Sequence, residues 1–269
     1  MNKKDQFGPI TIFLPDENSR EFSIFQDLAE LFGIEYNNDA VKILKEKLKE
    51  LNNLKPKPNI DAEADAVSLS STSADTIFKV AECINSLAIE KFHINLSAEQ
   101  KAKILYDLKT WKRPKPQKWH IGGIFFIRLS DNTFVFGQIL PKDEYSNICA
   151  LFLLRKNNQD YSIDELKQTK ILTVLGVGMD CINDGTYKII GDSVPLVDPS
   201  MRINKNTSYG SDVLKDLAEA YFGLKPWNIL YRENYYDDLL MNGLMPPENA
   251  IVLKPNERLK YRKELGWDT

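Results

Sequence analysis

Near the C-terminal end of the chain, Tyr231 to Asp238 (YRENYYDD) set three tyrosines among three carboxylates, Glu233, Asp237 and Asp238. Helical spacing would place Tyr231, Tyr235 and Asp238 on one stripe, and Tyr236, Leu239 and Leu240 on another that faces the core. Tyrosines are favoured interface anchors, and a carboxylate rim steers a basic partner towards them. The expected partner-binding set is therefore Tyr231, Glu233, Tyr235, Asp237 and Asp238. The plainer alternative is an amphipathic helix whose tyrosines only fill gaps.

A second cluster, WKRPKPQKW from Trp111 to Trp119, holds Lys112, Arg113, Lys115 and Lys118 without an acid. Aromatics interleaved with cations can stack bases and neutralise phosphates. Together with the Lys-rich stretch Lys42 to Lys57, this cluster supports an alternative function, a nucleic-acid-associated regulatory or defence module. Pro114 and Pro116 also suit a stiff connector. The charge balance argues against a general nucleic-acid binder. The chain has 35 Lys+Arg against 38 Asp+Glu; charges cancel through Lys118, so the net −3 falls on the remainder.

Other chemistries find little support. Nucleophilic catalysis needs a Ser or Cys with a His partner, and His93 and His120 lie in no motif that names one. Cys83, Cys149 and Cys181 sit in or beside apolar runs and form no CxxC, so they read as small buried hydrophobes rather than zinc ligands. Gly176-Val177-Gly178 follows an apolar run but lacks the third glycine of a dinucleotide turn, and Asp180 would repel phosphate. The expectation is a non-enzymatic protein with no cofactor and no metal. No run approaches the roughly 18 apolar residues of a membrane span. The apolar run Ile10 to Leu14 is too short for a signal peptide, and a reducing, cytoplasmic setting is expected.

These residues need elements to position them. A short strand is predicted at Ile10 to Leu14. A helix from about Arg20 would carry Phe22, Phe25, Ala29 and Phe32 and stop at Gly33. A second helix starts near Asn38 with Val41, Leu44, Leu48 and Leu51 on one face. Residues 55–74, rich in Pro, Asp, Ser and Ala, read as a linker. A helical hairpin follows, with Ile77, Val80, Ile84 and Leu87 on its first stripe and a Ser97/Gln100 capping box opening its second arm.

From His120 the pattern changes to short runs rich in β-branched and aromatic residues: 122–129, 133–140, 148–154, 171–176 and 187–191. They predict one twisted, mostly antiparallel sheet, interrupted by a small helix capped by Ser162 and Glu165. Helices return at Ser211 to Phe222, at about Arg232 to Met241, and at Glu257 to Leu265. The expected fold is thus α+β: a helical N-terminal region, then a twisted mostly antiparallel β-sheet domain with C-terminal helices. The segments are 1–54 (a small α+β or helical module), 55–74 (linker), 75–117 (helical hairpin and connector) and 118–266 (an α+β domain).

The stretch WHIGGIFFIRLSDNTFVFGQIL, Trp119 to Leu140, resembles the opening hairpin of the immunity protein 26 family of bacterial polymorphic toxin systems. In that family a Gly-Asp-x-Phe strand precedes a short turn and a Phe-Gly-Gln/Arg strand. Here Gly123 is followed by Ile124 in place of the acidic residue. Tyr187 to Gly191 (YKIIG) is similar to the closing strand of the family, and the tail from Asp237 to Gly266 to extensions found beside it. The resemblance implies a cytoplasmic, non-enzymatic antidote that binds a cognate toxin and blocks its active site or access to substrate. It supplies no functional residues by position. Gly123, Phe125, Phe136 and Gly137 read as structural, the glycines permitting close approach and the phenylalanines filling the core.

Overall fold

After Pro15, alternation rather than helical spacing decides the first element. Phe22 and Ile24 are buried while Phe25 is 55% exposed, a period of two that suits a strand covered on one face. The computed structural model, which describes residues 4–51 and 54–267, forms strand β3 there (Phe22–Gln26). A short helix, α1 (Leu28–Phe32), starts only after Asp27, whose side chain accepts from the Glu30 N–H, and ends at Gly33 in the left-handed region. The single helix expected from Arg20 is therefore a strand followed by one helical turn. Phe22, Phe25, Ala29 and Phe32 fit helical spacing, but pairing of β3 on both edges captures the first two.

The chain divides into two compact units, Met1–Lys115 and Pro116–Thr269. In the first, β1 (Lys4–Phe7), β2 (Ile10–Phe13), β3, β4 (Asn59–Ala62) and β5 (Val67–Ser71) make an antiparallel sheet in the order β1-β2-β3-β5-β4. The stretch expected to be a linker thus supplies two strands. In β5, Val67, Leu69 and Ser71 are buried and alternate with half-buried serines, and Leu69 pairs with Ile24. So few apolar residues, diluted by small polar ones, do not produce a visible period. The N-terminal region is consequently α+β rather than helical.

Helices complete this unit. In α2 (Asn37–Lys49), Val41, Leu44 and Leu48 are buried; in α3 (Ala74–Leu87), Ile77, Val80 and Ile84 are. The Ser97/Gln100 capping box opens α4 (Ala98–Thr110). These helices share one core with Phe7, Ile12, Ile24 and Leu69 of the sheet.

The second unit holds a six-stranded sheet in the order β10-β6-β7-β8-β9-β11. Its strands are β6 (Gly123–Arg128), β7 (Phe134–Leu140), β8 (Asn147–Lys156), β9 (Ile171–Val177), β10 (Tyr187–Asp192) and β11 (Ser208–Tyr209). All neighbours are antiparallel except β11 beside β9. Both faces are covered, which is why the strands read as continuous apolar runs instead of alternating ones. Phe125, Ile127, Val135 and Leu151 pack with Leu214 and Leu217 of α7 (Val213–Tyr221) and with Trp227, Tyr236 and Leu239. Ile124, Phe126, Phe136 and Phe152 pack instead with Val197 and with Leu166 of α5 (Ile163–Gln168). The shorter α6 (Asp180–Asn183) lies between β9 and β10, and α8 (Pro255–Glu264) closes the described chain.

The helix expected over Arg232 to Met241 does not form. The segment is a run of turns with one 3-10 turn at Asp237–Leu239. Within it the backbone closes i→i+3 turns, with the Tyr235 N–H on the Arg232 carbonyl and the Asp237 N–H on that of Asn234, and the four carbonyls leading into it, of which a helix from Arg232 would use only that of Tyr231, are bonded from outside. The Arg258 guanidinium of α8 donates to the carbonyl oxygens of Asn228, Leu230 and Tyr231, and Arg262 donates to that of Ile229 at 2.8 Å. Tyr236, Leu239 and Leu240 are nevertheless buried, as their stripe requires.

Candidate docking face

The turns before and within 231–238 leave an open recess of about 660 Å³ lined by Asn204, Thr207, Tyr209, Tyr231, Arg232, Tyr235 and Asp238. The Tyr231 and Tyr235 rings meet edge to face with centroids 5.3 Å apart. The Arg232 guanidinium carbon lies 5.6 Å and 5.8 Å from the two ring centroids, within cation–π range. The same guanidinium reaches the Asp238 carboxylate at 2.8 Å. Also lining the recess, Asn204 Nδ2 donates to the Tyr209 hydroxyl at 2.8 Å and to the Asp238 carbonyl oxygen at 3.4 Å. Burial, reinforced by the neighbouring Tyr209 and Tyr231 phenols, pushes the Tyr235 phenol above its ordinary value, so it remains a neutral hydroxyl at neutral pH.

Of the five residues expected in the partner-binding set, the recess brings Tyr231, Tyr235 and Asp238 together. Glu233 is exposed but does not line it. The Asp237 carboxylate accepts from Trp227 Nε1 at 2.8 Å, so it anchors an indole that is 4% exposed. Arg232, Tyr209 and Asn204 join the site unforeseen. Arg232 stood inside the motif as the one cation, whereas Tyr209 and Asn204 are remote in sequence: Tyr209 arrives through the parallel pairing of β11 with β9, and Asn204 follows Ile203, whose N–H bonds the Val174 carbonyl of β9 at 2.9 Å.

The two tryptophans and the arginine of the Trp-flanked basic segment have structural duties, while Lys112, Lys115 and Lys118 are exposed. In the first unit, Trp111 Nε1 donates to the Pro15 carbonyl at 2.8 Å, and Arg113 donates to the carbonyls of Asp16 and Glu17 at 2.6 Å and 2.9 Å. In the second unit, Gln117 Nε2 donates to the Ile182 and Tyr187 carbonyls at 2.7 Å and 2.9 Å, and Trp119 Nε1 donates to Asn183 Oδ1 at 2.9 Å. Indoles and a guanidinium turned inward in this way are not a base-stacking array.

The thiols are held as thiols. Burial pushes Cys149 up to about 12, and raises Cys83 and Cys181 as well; reactivity requires the opposite. His93 bonds the Asn85 carbonyl at 2.8 Å and so staples a loop. Among the described residues, no group of three or more His, Cys, Asp or Glu could hold a metal ion, and no helix is long and apolar enough to cross a membrane.

The hairpin of β6 and β7 shows why its motif residues take the types they do. A Cβ on Gly137 would lie 2.7 Å from both the Ala150 carbonyl oxygen and Phe125 Cε2, closer than real Cβ atoms approach. Phe125 in turn stacks on Tyr187, centroids 5.8 Å apart and rings 7° from parallel. Gln138, fully buried, accepts the Leu196 N–H at 2.7 Å; its Nε2 donates to the carbonyls of Gly122 and Val194 at 3.2 Å and of Ser193 at 3.4 Å.

Residues 120–207 match the immunity protein 26 family model. No curated protein and no solved structure matches the chain. The matched segment runs from the start of the β6–β7 hairpin to Thr207, so it holds β6 to β10 and the Gln138 clamp. It also holds Arg202, whose buried guanidinium donates to the Asp143 carboxylate and, at 2.6 Å, to the Thr207 carbonyl, tying the end of the matched segment to the loop between β7 and β8. Asn204 and Thr207 of the recess fall inside the immunity protein 26 match, whereas Tyr209, Tyr231, Arg232, Tyr235 and Asp238 lie beyond it.

Proposed function

We propose that the protein is a non-enzymatic immunity protein that binds and neutralises a cognate bacterial toxin, acting in the cytoplasm. The family match over residues 120–207 is the observation that supports this reading. The matched sheet serves as scaffold, and the recess of Tyr209, Tyr231, Tyr235 and Asp238 is the docking element that its second unit presents. The exposed Tyr231 and the half-buried Tyr209 and Tyr235 beside a carboxylate suit a basic toxin surface. A stable complex needs about 800 Å² on each partner, so neighbouring residues, Glu233 included, form the rim of the same face.

The test is co-purification with the product of a neighbouring toxin-like gene, followed by affinity measurement of variants. Tyr235→Ala and Asp238→Lys are each expected to weaken the complex about tenfold or more, as truncation of a central aromatic or reversal of a facing charge does at other interfaces. Unchanged affinity in both removes the recess from the interface. Failure to bind the toxin at all removes the immunity reading itself.

A further inference from the structure

We infer that the recess is a seat for a guanidinium group, with Arg232 as its resident occupant, and that a protein partner docks by inserting its own arginine in place of Arg232. This rests on the docking reading of the same face and names the chemistry that it recognises. Three observations converge. The Arg232 guanidinium already lies over two tyrosine rings and against the Asp238 carboxylate, the combination of aromatic face and planar acceptor that suits guanidinium better than a compact ammonium. The Arg232 side chain is half exposed, at 50%, so it can swing into water with little loss of packing. The recess, about 660 Å³ and walled by Tyr209 and Asn204, remains open with that side chain in place, so an incoming side chain has a route to the same rings.

The arrangement has a functional consequence. With Arg232 seated, the recess is electrically balanced by Asp238 and does not attract cations indiscriminately. Once Arg232 leaves, one carboxylate and the tyrosine faces remain for the incoming group. A partner that presents a well-placed arginine, held by contacts around the rim, outcompetes the resident; a free cation does so poorly. The resident side chain thereby acts as a selectivity filter on the docking face.

The titration that decides the inference needs no toxin. The full chain, labelled with ¹³C in its tyrosine rings, is titrated with N-acetyl-arginine methylamide, with its neutral citrulline counterpart, and with the lysine counterpart, while the Tyr231 and Tyr235 ring signals are followed. Removal of the competing cation in Arg232→Ala is expected to tighten arginine binding about tenfold over wild type, the scale of a guanidinium set against two rings and a carboxylate. Arg232→Gln, which removes the charge but keeps a polar side chain, carries the same expectation and guards against misfolding of the first variant. Citrulline is expected to leave both rings unshifted, and Asp238→Asn added to Arg232→Ala to abolish most of the gain. Equal arginine affinity in wild type and both variants, or an equal response to citrulline or lysine, would overturn the inference. Toxin binding that still depends on Tyr235 would then leave the docking face standing without the guanidinium seat. Arginine binding with toxin affinity unchanged in Tyr235→Ala would do the reverse.

Discussion

Replacing Gln138 by Leu keeps the volume of a fully buried side chain and removes only its polar end. The Leu196 N–H loses its 2.7 Å acceptor, and orphaning this part-buried donor costs about 1–3 kcal/mol. The Nε2 bonds to the Gly122, Ser193 and Val194 carbonyls share one donor group, and together contribute about 1 kcal/mol net. Val194 is 77% exposed, so its carbonyl recovers water. The expected loss is therefore about 2–4 kcal/mol in urea unfolding of the second unit, accompanied by faster amide exchange at 193–196. Gln138→Glu should be worse at neutral pH, because a carboxylate would face three carbonyl oxygens. Its folded-state pKa would be raised, so its deficit should be smallest in acid and grow as pH rises above the unfolded value of about 4.3. A change in Gln138→Leu below about 0.5 kcal/mol, the scatter of neutral surface substitutions, would refute the clamp. So would a pH-independent deficit in Gln138→Glu.

Two further outcomes follow from local geometry. Gly137→Ala forces a Cβ against the Phe125 ring and the Ala150 carbonyl oxygen and should lower stability by about 1–3 kcal/mol, read from the urea midpoint. Adding Phe125→Leu should recover only part of that loss, since the carbonyl stays in place. Asp131 is held below its ordinary 3.8 by hydrogen bonds from Thr133 and by Arg155. A depressed folded pKa means that its stabilisation is complete above 3.8 and is lost as pH falls through the lower folded value. The melting-temperature gap between wild type and Asp131→Asn should therefore be constant near neutrality and close below that pH; a gap that persists in acid would count against the interaction.

Much of the second unit was legible because its signals are local and dense. The five apolar runs from 122 to 191 correspond to β6 to β10, and the serine caps at Ser97 and Ser162 depend only on neighbours three residues away. The N-terminal unit was harder. Phe22 to Phe32 satisfies a helical period while its first half pairs as a strand, and β5 carries two serines on its half-buried face. The docking face was legible in composition but not in form. Tyr231 and Tyr235 do meet, yet in turns held by Arg258 and Arg262, about 27 to 33 residues further along the chain.

The sequence by itself determined which residues must be covered and which could carry an interface: continuous apolar runs that need two covering layers, caps that start helices, and a tyrosine-carboxylate cluster too polar to bury whole. Tertiary structure decided where backbone polar groups found partners. The carbonyls of Asn228 to Tyr231 went to two arginines, and the Leu196 N–H went to Gln138. It also decided which carboxylate of the cluster remained at the recess, since Trp227 claimed Asp237 and left Asp238 beside Arg232. A buried backbone group or indole N–H must be paired by something, and that something is set by long-range packing that residue spacing does not encode.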